Sequence, residues 1–126
     1  MSALADTSIL IEYLRGCVEA RTLVRGALER GEAVHGSVLT RIELSVGMRA
    51  DEREATDALV AALRWIPVSH VIADDADLLA RQYGHSHAGI DAVDYCIAAT
   101  KRLRNLELWT LNTRHFPMFP GLQRPW

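Results

Sequence analysis

The chain has 126 residues, of which 49% are hydrophobic, enough to form the core of one compact domain spanning residues 1–126. Its 14 basic and 16 acidic residues leave a formal net charge of −2, which argues against a general electrostatic grip on nucleic acid. The two cysteines form no Cys-x-x-Cys pair, and neither a signal peptide nor a membrane-spanning apolar run is visible. These features predict a reduced cytoplasmic protein without membrane association.

Strand-like and helix-like segments alternate along the chain. Apolar spacing, cap residues and glycine or proline stops predict, in order, a strand at 2–5, helices from about residue 7 to 14 and at 18–30, a strand at 33–39, helices at 40–50 and 51–64, a strand at 65–68, helices at 74–84 and 91–105, and a strand at 106–111. The proline-containing tail is expected to be irregular. This alternation is typical of an α/β fold with a mainly parallel sheet.

Acidic residues stand at three of the predicted helix starts, and each has an ordinary explanation as a cap. Asp6 precedes the first helix, where Thr7 or Ser8 is the expected N-cap, and Asp6 suits the helix dipole. Thr40-x-x-Glu43 and Asp91-x-x-Asp94 both match the capping-box spacing. Asp51 is a further expected N-cap, for the helix at 51–64.

The same acids also match a metal site. At least two of the three helix starts directly follow parallel strands, whose carboxyl ends meet at one edge of a sheet. Asp6, Glu43 and Asp94 are therefore expected to lie near one another. Clustered carboxylates repel unless a cation lies among them, and an all-oxygen ligand set suits Mg²⁺ or Mn²⁺. From spacing alone, helix capping and a metal–carboxylate site remain open alternatives.

Other chemical motifs are absent or weak. His85-x-His87 has no third ligand at a suitable spacing, so a solvated loop is the better interpretation. The sequence contains no G-x-G-x-x-G and no P-loop, which argues against a dinucleotide or nucleoside triphosphate site. A haloacid-dehalogenase type of phosphotransfer enzyme would require Asp-x-Asp at the first strand, where this chain has Ser8 as the third residue.

Four blocks of sequence in order resemble the PIN-domain family. The first is ADTSILIEYLRG, and the second is TRIELSVGMRA, with Thr40, Glu43, Leu44 and Gly47 at the matching places. The third is GIDAVDYCIAAT, and the fourth is LWTLNTRHFPMF. Within this family the chain looks most similar to VapC-type toxins of bacterial toxin–antitoxin pairs.

The resemblance implies a three-layer α/β/α fold around a mainly parallel sheet of four to five strands. It implies an endoribonuclease dependent on Mg²⁺, with Mn²⁺ as the alternative ion, that hydrolyses RNA such as tRNA or ribosomal RNA. It further implies a homodimer neutralised by a VapB-type antitoxin, with DNA contacted only through that antitoxin. By the matching blocks, Asp6, Glu43 and Asp94 are the catalytic metal ligands. Asp91 is either a further member of the same pocket or only an N-cap.

The fourth block departs from the family pattern. Many PIN proteins have an acid at the position of Asn112 or of His115, and this chain has neither. We therefore expect one strong metal site, on Asp6 and Asp94, and a weaker second site completed by RNA phosphate. The expected supporting or substrate-contacting residues are Thr7, Asn112, Thr113, Arg114 and His115. A PIN-like protein-binding module with weak catalysis is the alternative that the missing acid leaves open.

Overall fold

The computed structural model describes residues 2–126. In chain order its elements are β1 (Ala3–Ala5), α1 (Thr7–Leu14), α2 (Val18–Glu29), β2 (Val34–Ser37), α3 (Val38–Gly47), α4 (Arg53–Ala62), β3 (Arg64–Ile66), α5 (His70–Tyr83), α6 (Ala92–Arg104) and β4 (Glu107–Trp109), with 3₁₀ turns at Ala50–Glu52 and Thr113–His115. Within this part of the chain, no helix is both long and apolar enough to cross a membrane.

The sheet has four strands in the order β3-β2-β1-β4, and every pair is parallel. The first strand, β1, is central, with Leu4 paired to His35 of β2 on one side and to Leu108 of β4 on the other. All strands consequently end at the same edge. Asp6 leaves β1 at this edge and Thr110 leaves β4 there, so the first and the last strands bring distant parts of the sequence together.

Two hydrophobic clusters cover the two faces of the sheet. Leu4 points into a cluster formed with α5 and α6, where Ile97 and Leu79 are buried. Ala3 and Ala5 point to the opposite face, into a cluster with α1, α2, α3 and α4. The alternation of side chains along β1 thus produces three layers, α/β/α. The predicted α/β fold with a parallel sheet is confirmed, with four strands.

The second strand is shorter than predicted, and the capping box at Thr40 is wrong. β2 ends at Ser37, whose hydroxyl accepts a hydrogen bond from the Leu39 amide and caps α3. Val38 and Leu39 resemble strand residues, yet they form the first turn of α3. Thr40 is consequently inside the helix and fully buried, so Glu43 cannot return to an N-cap at that residue.

Other boundaries differ for similar reasons. The N-cap of α1 is Asp6, in place of Thr7 or Ser8. Asp51 lies within a 3₁₀ turn, and α4 begins afterwards at Arg53. Helix α5 begins at His70, because the Ser69 hydroxyl accepts a hydrogen bond from the Ile72 amide and so caps a turn that the sequence pattern does not mark. The Asp91–Asp94 capping box is confirmed, since both reciprocal hydrogen bonds are present.

Candidate active site: an acidic cavity at the strand ends

A cavity of about 430 Å³ opens at the edge where the parallel strands end. We call it the acidic cavity, and it is lined by Asp6, Thr7, Ser8, Ile11, Glu12, Arg15, Glu43, Asp91, Val93, Asp94, Ile97, Leu111, Asn112 and His115. All four predicted catalytic acids are therefore brought to one place. They come from the ends of β1 and from helices α3 and α6, as expected for a site at the carboxyl edge of a parallel sheet.

Asp6 is the most buried acid of the cavity, with 4% of its surface exposed. Its carboxylate caps α1 by accepting hydrogen bonds from the amides of Ser8 and Ile9, at 2.9 Å and 3.4 Å. Burial raises the pKa of Asp6, while the hydroxyls of Ser8 and Thr110 and the two amides oppose that rise. The capping interpretation and the functional one therefore apply to the same carboxylate.

Two hydroxyl groups hold Asp6 in a fixed orientation. Ser8 donates to Asp6 Oδ1 and Thr110 donates to Asp6 Oδ2. Each hydroxyl oxygen accepts a backbone N–H in turn, from Leu111 to Ser8 and from Asn112 to Thr110, both at 3.0 Å. Because each oxygen already accepts a hydrogen bond, its own proton is directed at Asp6.

Sequence reasoning missed Ser8 and Thr110 as members of the site. Both stand inside matching blocks, Asp-Thr-Ser and Thr-x-Asn, but Thr110 lies 104 residues from Asp6. The available signal was topological, since β1 and β4 are neighbours and a hydroxyl directly after β4 faces the residue directly after β1. Glu12 and Arg15, one and two turns into α1, also line the cavity and were not predicted.

Glu43 is positioned by Thr7. The Thr7 hydroxyl lies 2.6 Å from Glu43 Oε1 and 3.1 Å from Thr40 Oγ1. Thr40 is buried in α3, one turn before Glu43, so the contact ties the start of α1 to α3. Thr7 therefore orients the Glu43 carboxylate. Thr40, which was predicted to cap a helix, instead contacts the Thr7 hydroxyl from inside α3.

Asp94 lies between an acid and a histidine. It caps α6 reciprocally with Asp91, and its Oδ2 lies 3.2 Å from His115 Nδ1. Burial and the neighbouring Asp91 charge raise the pKa of Asp94 to about 6, although the Asp91 amide and His115 act in the opposite direction. The Asp94 carboxyl therefore changes between its charged and neutral forms at mildly acidic pH.

The fourth block is only partly brought into the cavity. Asn112 and His115 line it, but Thr113 and Arg114 do not. The 3₁₀ turn at Thr113–His115 has three residues per turn, which presents Asn112 and His115 on one side. Arg114 is exposed on the other side.

The carboxylate oxygens of the cavity are the type of ligand that a divalent cation such as Mg²⁺ prefers. Among residues 2–126, no three acidic, histidine or cysteine side chains form a ready-made metal-binding group. Each acid instead has a protein partner: hydroxyls hold Asp6, Thr7 holds Glu43, and His115 and the Asp91 amide hold Asp94. The donors are nevertheless oxygens that line one cavity. The pKa values of Asp6 and Asp94 are raised, and a bound cation would lower them by stabilising the charged carboxylates.

Comparison with known proteins identifies the family. The sequence profile of the PIN domain matches residues 3–120. The chain belongs to the PIN-domain family. The PIN resemblance that the four sequence blocks indicated is thereby confirmed.

Relatives and solved structures cover nearly the whole PIN chain. It is 45% identical over 123 residues to a protein named Ribonuclease VapC19 of Mycobacterium tuberculosis, covering 98% of both chains. It is 43% identical over 122 residues to Ribonuclease VapC10 of the same organism, covering 97% of this chain and 91% of that one.

A solved toxin–antitoxin complex from Klebsiella pneumoniae superposes with a TM-score of 0.80 at 32% identity, covering 99% of this chain and 98% of that one. A DNA-bound VapBC structure from Salmonella typhimurium superposes with a TM-score of 0.79 at 18% identity, covering 98% and 96%. The second likeness shows the fold alone.

Proposed function

We propose that this PIN-domain protein is an endoribonuclease toxin of the VapC type, neutralised by a VapB-type antitoxin. The observation that carries the proposal is the meeting of Asp6, Glu43 and Asp94 on one cavity, from three separate parts of the chain. The names of the relatives, and the toxin–antitoxin complex from Klebsiella pneumoniae, support the same activity class and the same kind of partner.

Mg²⁺, with Mn²⁺ as the alternative, is the proposed cofactor, held by Asp6, Asp94 and Glu43. When bound, such an ion activates water and stabilises charge on a phosphoryl group. The protein supplies the orientation of the ligands: Ser8 and Thr110 fix Asp6, and Thr7 fixes Glu43. We propose one strong metal site, on Asp6 and Asp94, and a weaker second metal site that an RNA phosphate completes.

The remaining cavity residues would serve the substrate. His115 and the Asn112 side chain line the side of the cavity formed after β4, and neither brings the fixed negative charge of an acid. An Asn amide and a His ring both offer hydrogen-bond donors for phosphate oxygens. Asp91 lies at the cavity as the N-cap of α6, so its contribution would be to hold Asp94 and add negative charge.

The proposed assembly follows from the same class. The substrate is RNA, with tRNA and ribosomal RNA as candidates, and the protein acts as a homodimer in the cytoplasm. The antitoxin is a protein partner, and DNA is contacted only through it. A PIN-like binding module with weak catalysis remains the second candidate, favoured by Asn112 at a position where many PIN proteins have an acid.

Cleavage of RNA by the purified, antitoxin-free protein tests the proposal. Total cellular RNA is incubated with the wild-type protein in Mg²⁺, in Mn²⁺ or in EDTA. The Asp6→Ala and Asp94→Ala variants are assayed under the same conditions. Asp57→Ala is the matched control, because Asp57 is an exposed acid on α4 outside the cavity. We expect a discrete cut that requires metal, survives in Asp57→Ala and disappears in the two cavity variants.

The product ends test the type of reaction. Attack by water leaves a 5′-phosphate and a 3′-hydroxyl, whereas attack by the RNA 2′-hydroxyl leaves a 2′,3′-cyclic phosphate. Cyclic ends would contradict the proposed hydrolysis. If folded protein cuts no RNA with either metal, the binding-module alternative is preferred.

A further inference from the structure

One face of α1 lines the acidic cavity along the whole helix. Its members are Ser8, Ile11, Glu12 and Arg15, which the spacing of three, four and seven residues after Ser8 places on the same side. The helix has Asp6 as its N-cap and Arg15 as its C-cap. A rise of about 1.5 Å per residue separates these two residues by about 13.5 Å along the helix axis. The cavity therefore continues from the acids as a track along α1.

Arg15 is the permanent positive charge of this cavity. Among residues 2–126, the lining includes a single lysine or arginine, Arg15, and five carboxylates, which belong to Asp6, Glu12, Glu43, Asp91 and Asp94. His115 also lines the cavity, but its ring is charged only when protonated. The carboxylates repel a negatively charged RNA strand, and a metal ion at Asp6 and Asp94 offsets this repulsion at one end of the track. Arg15 supplies the attraction at the other end.

The Arg15 guanidinium is available to bind an anion. Its side chain is 61% exposed, and its Nη1 lies 3.7 Å from Oε1 of Glu12. That separation is too long for a hydrogen bond, and an exposed ion pair of this kind holds the two side chains only weakly. The backbone beneath is fixed, because the Arg15 amide donates to the Ile11 carbonyl at 2.9 Å. Arg15 therefore combines a fixed position on α1 with N–H donors that suit a phosphate group.

We infer that Arg15 binds an RNA phosphate next to the scissile one and holds the strand along α1 while the acids act at the cut. The inference rests on the proposed ribonuclease function. The neighbouring phosphate is assigned because Arg15 and Asp6 stand at opposite ends of the helix. RNA is preferred to an acidic protein segment because the guanidinium lines the same cavity as the acids. Arg114, which was predicted to contact the substrate, lies outside this cavity, and Arg15 takes that role.

Two variants of Arg15 and one control separate charge, geometry and fold. Arg15→Gln removes the positive charge, whereas Arg15→Lys keeps the charge and loses the planar fork that matches a phosphate. Arg81→Gln is the matched control, because Arg81 is an exposed arginine on α5, is paired with Asp77 at 2.9 Å and lies outside the acidic cavity. The two glutamine variants change the net charge equally. All three variants should keep the melting temperature of the wild type, since both arginines are exposed.

The first readout is RNA binding without catalysis. Fluorescence anisotropy in EDTA measures the affinity for a short single-stranded RNA that contains the cut site, over a range of salt concentrations. Loss of one phosphate contact should reduce the slope of log K against log salt by about 0.7 in Arg15→Gln. Arg15→Lys should keep the wild-type slope with weaker binding. Arg81→Gln should match the wild type in both affinity and slope.

The second readout identifies the phosphate. The same RNA is cleaved after each phosphate flanking the cut has been replaced, one at a time, by an uncharged methylphosphonate. At one position the replacement should raise KM of the wild type by about tenfold, and it should have no further effect on Arg15→Gln. Such coupling between one phosphate and one side chain is a double-mutant cycle. An equal loss at every flanking phosphate would show only a general effect of charge and would overturn the assignment.

The outcomes separate this inference from the proposed function. If the wild type cuts RNA and Arg15→Gln matches it in KM and in salt slope, the inference about Arg15 is wrong and the proposed function stands. An Arg15→Gln variant that cuts RNA normally but escapes the antitoxin would also overturn the inference, because Arg15 would then serve a protein partner. If the wild type cuts no RNA with Mg²⁺ or Mn²⁺, the proposed function fails, and the binding measurement alone decides whether Arg15 contacts RNA.

Discussion

His115 Nδ1 lies 3.2 Å from Asp94 Oδ2, although the two residues belong to different elements and are brought together only by the turn after β4. His115 acts to lower the pKa of Asp94, against the larger effect of burial. His115 thus favours the ionised form of its neighbour, whereas an acid at the same position would add a repelling charge.

Replacing His115 should shift the pH dependence of cleavage. His115→Ala removes a group that lowers the pKa of Asp94, so this pKa should rise above its value of about 6. In the proposed function the ionised carboxylate is the form that holds the metal ion, so the acidic limb of the pH–rate profile should move upward by roughly half a pH unit. Rates measured from pH 5 to 8 test this. An unchanged limb with a uniformly lower rate would mean that His115 acts on the substrate only.

Asp94→Asn should stabilise the metal-free protein at neutral pH while abolishing cleavage. The pKa of Asp94 is raised from 3.8 to about 6, so the folded chain holds this proton more tightly than the unfolded chain. Its contribution to stability is present below about pH 4 and is lost as the pH rises through 6. Asparagine stays neutral, so we expect a gain on the order of 1 kcal/mol at pH 7.5 in EDTA.

The same gain should shrink towards pH 4, where Asp94 itself is protonated. Thermal unfolding of both proteins at the two pH values checks the difference. A variant that is less stable than the wild type at pH 7.5 would show that the contacts of Asp94 with Asp91 and His115 outweigh its desolvation.

Thr110→Val should weaken the site more than Thr110→Ser. Valine keeps the shape but removes the donor to Asp6 and the acceptor for the Asn112 amide. Loss of a hydroxyl that orients a metal-binding carboxylate typically costs 10- to 100-fold in metal affinity or activity. Titration calorimetry with Mn²⁺ and a cleavage assay should both show the loss. Serine keeps the hydroxyl, so equal defects in the two variants would argue against the hydrogen bond as the cause.

Gly36→Ala should destabilise the fold, whereas Gly47→Ala should not. A Cβ at Gly36 in β2 would lie 2.5 Å from Cζ3 of Trp65, and this ring is held by its N–H donation to the Val60 carbonyl at 2.9 Å. We expect a loss of about 1–3 kcal/mol for Gly36→Ala. At Gly47 the added Cβ meets nothing within 4 Å, and alanine favours a helix. Urea unfolding of both variants measures the difference.

The sequence was sufficient for the acids because their positions follow from topology. Asp6 and Asp94 stand at helix starts, and a parallel sheet brings such starts to one edge. It was not sufficient for the start of α3, because Val38 and Leu39 suit a strand as well as a helix and only the Ser37 cap decides. Nor did it show the pairing of Thr110 with Asp6, which depends on side-chain direction at two distant strand ends.

The contact between Thr110 and Asp6 also bears on the order of synthesis. Thr110 follows Asp6 by 104 residues and is synthesised after α6, so β4 is the last of the four strands to become available for pairing with β1. A nascent chain that extends only to α6 has its acids but lacks the hydroxyl and the turn that position Asp6 and Asp94. In the proposed function, cleavage that depends on these contacts therefore requires the docking of β4 against β1.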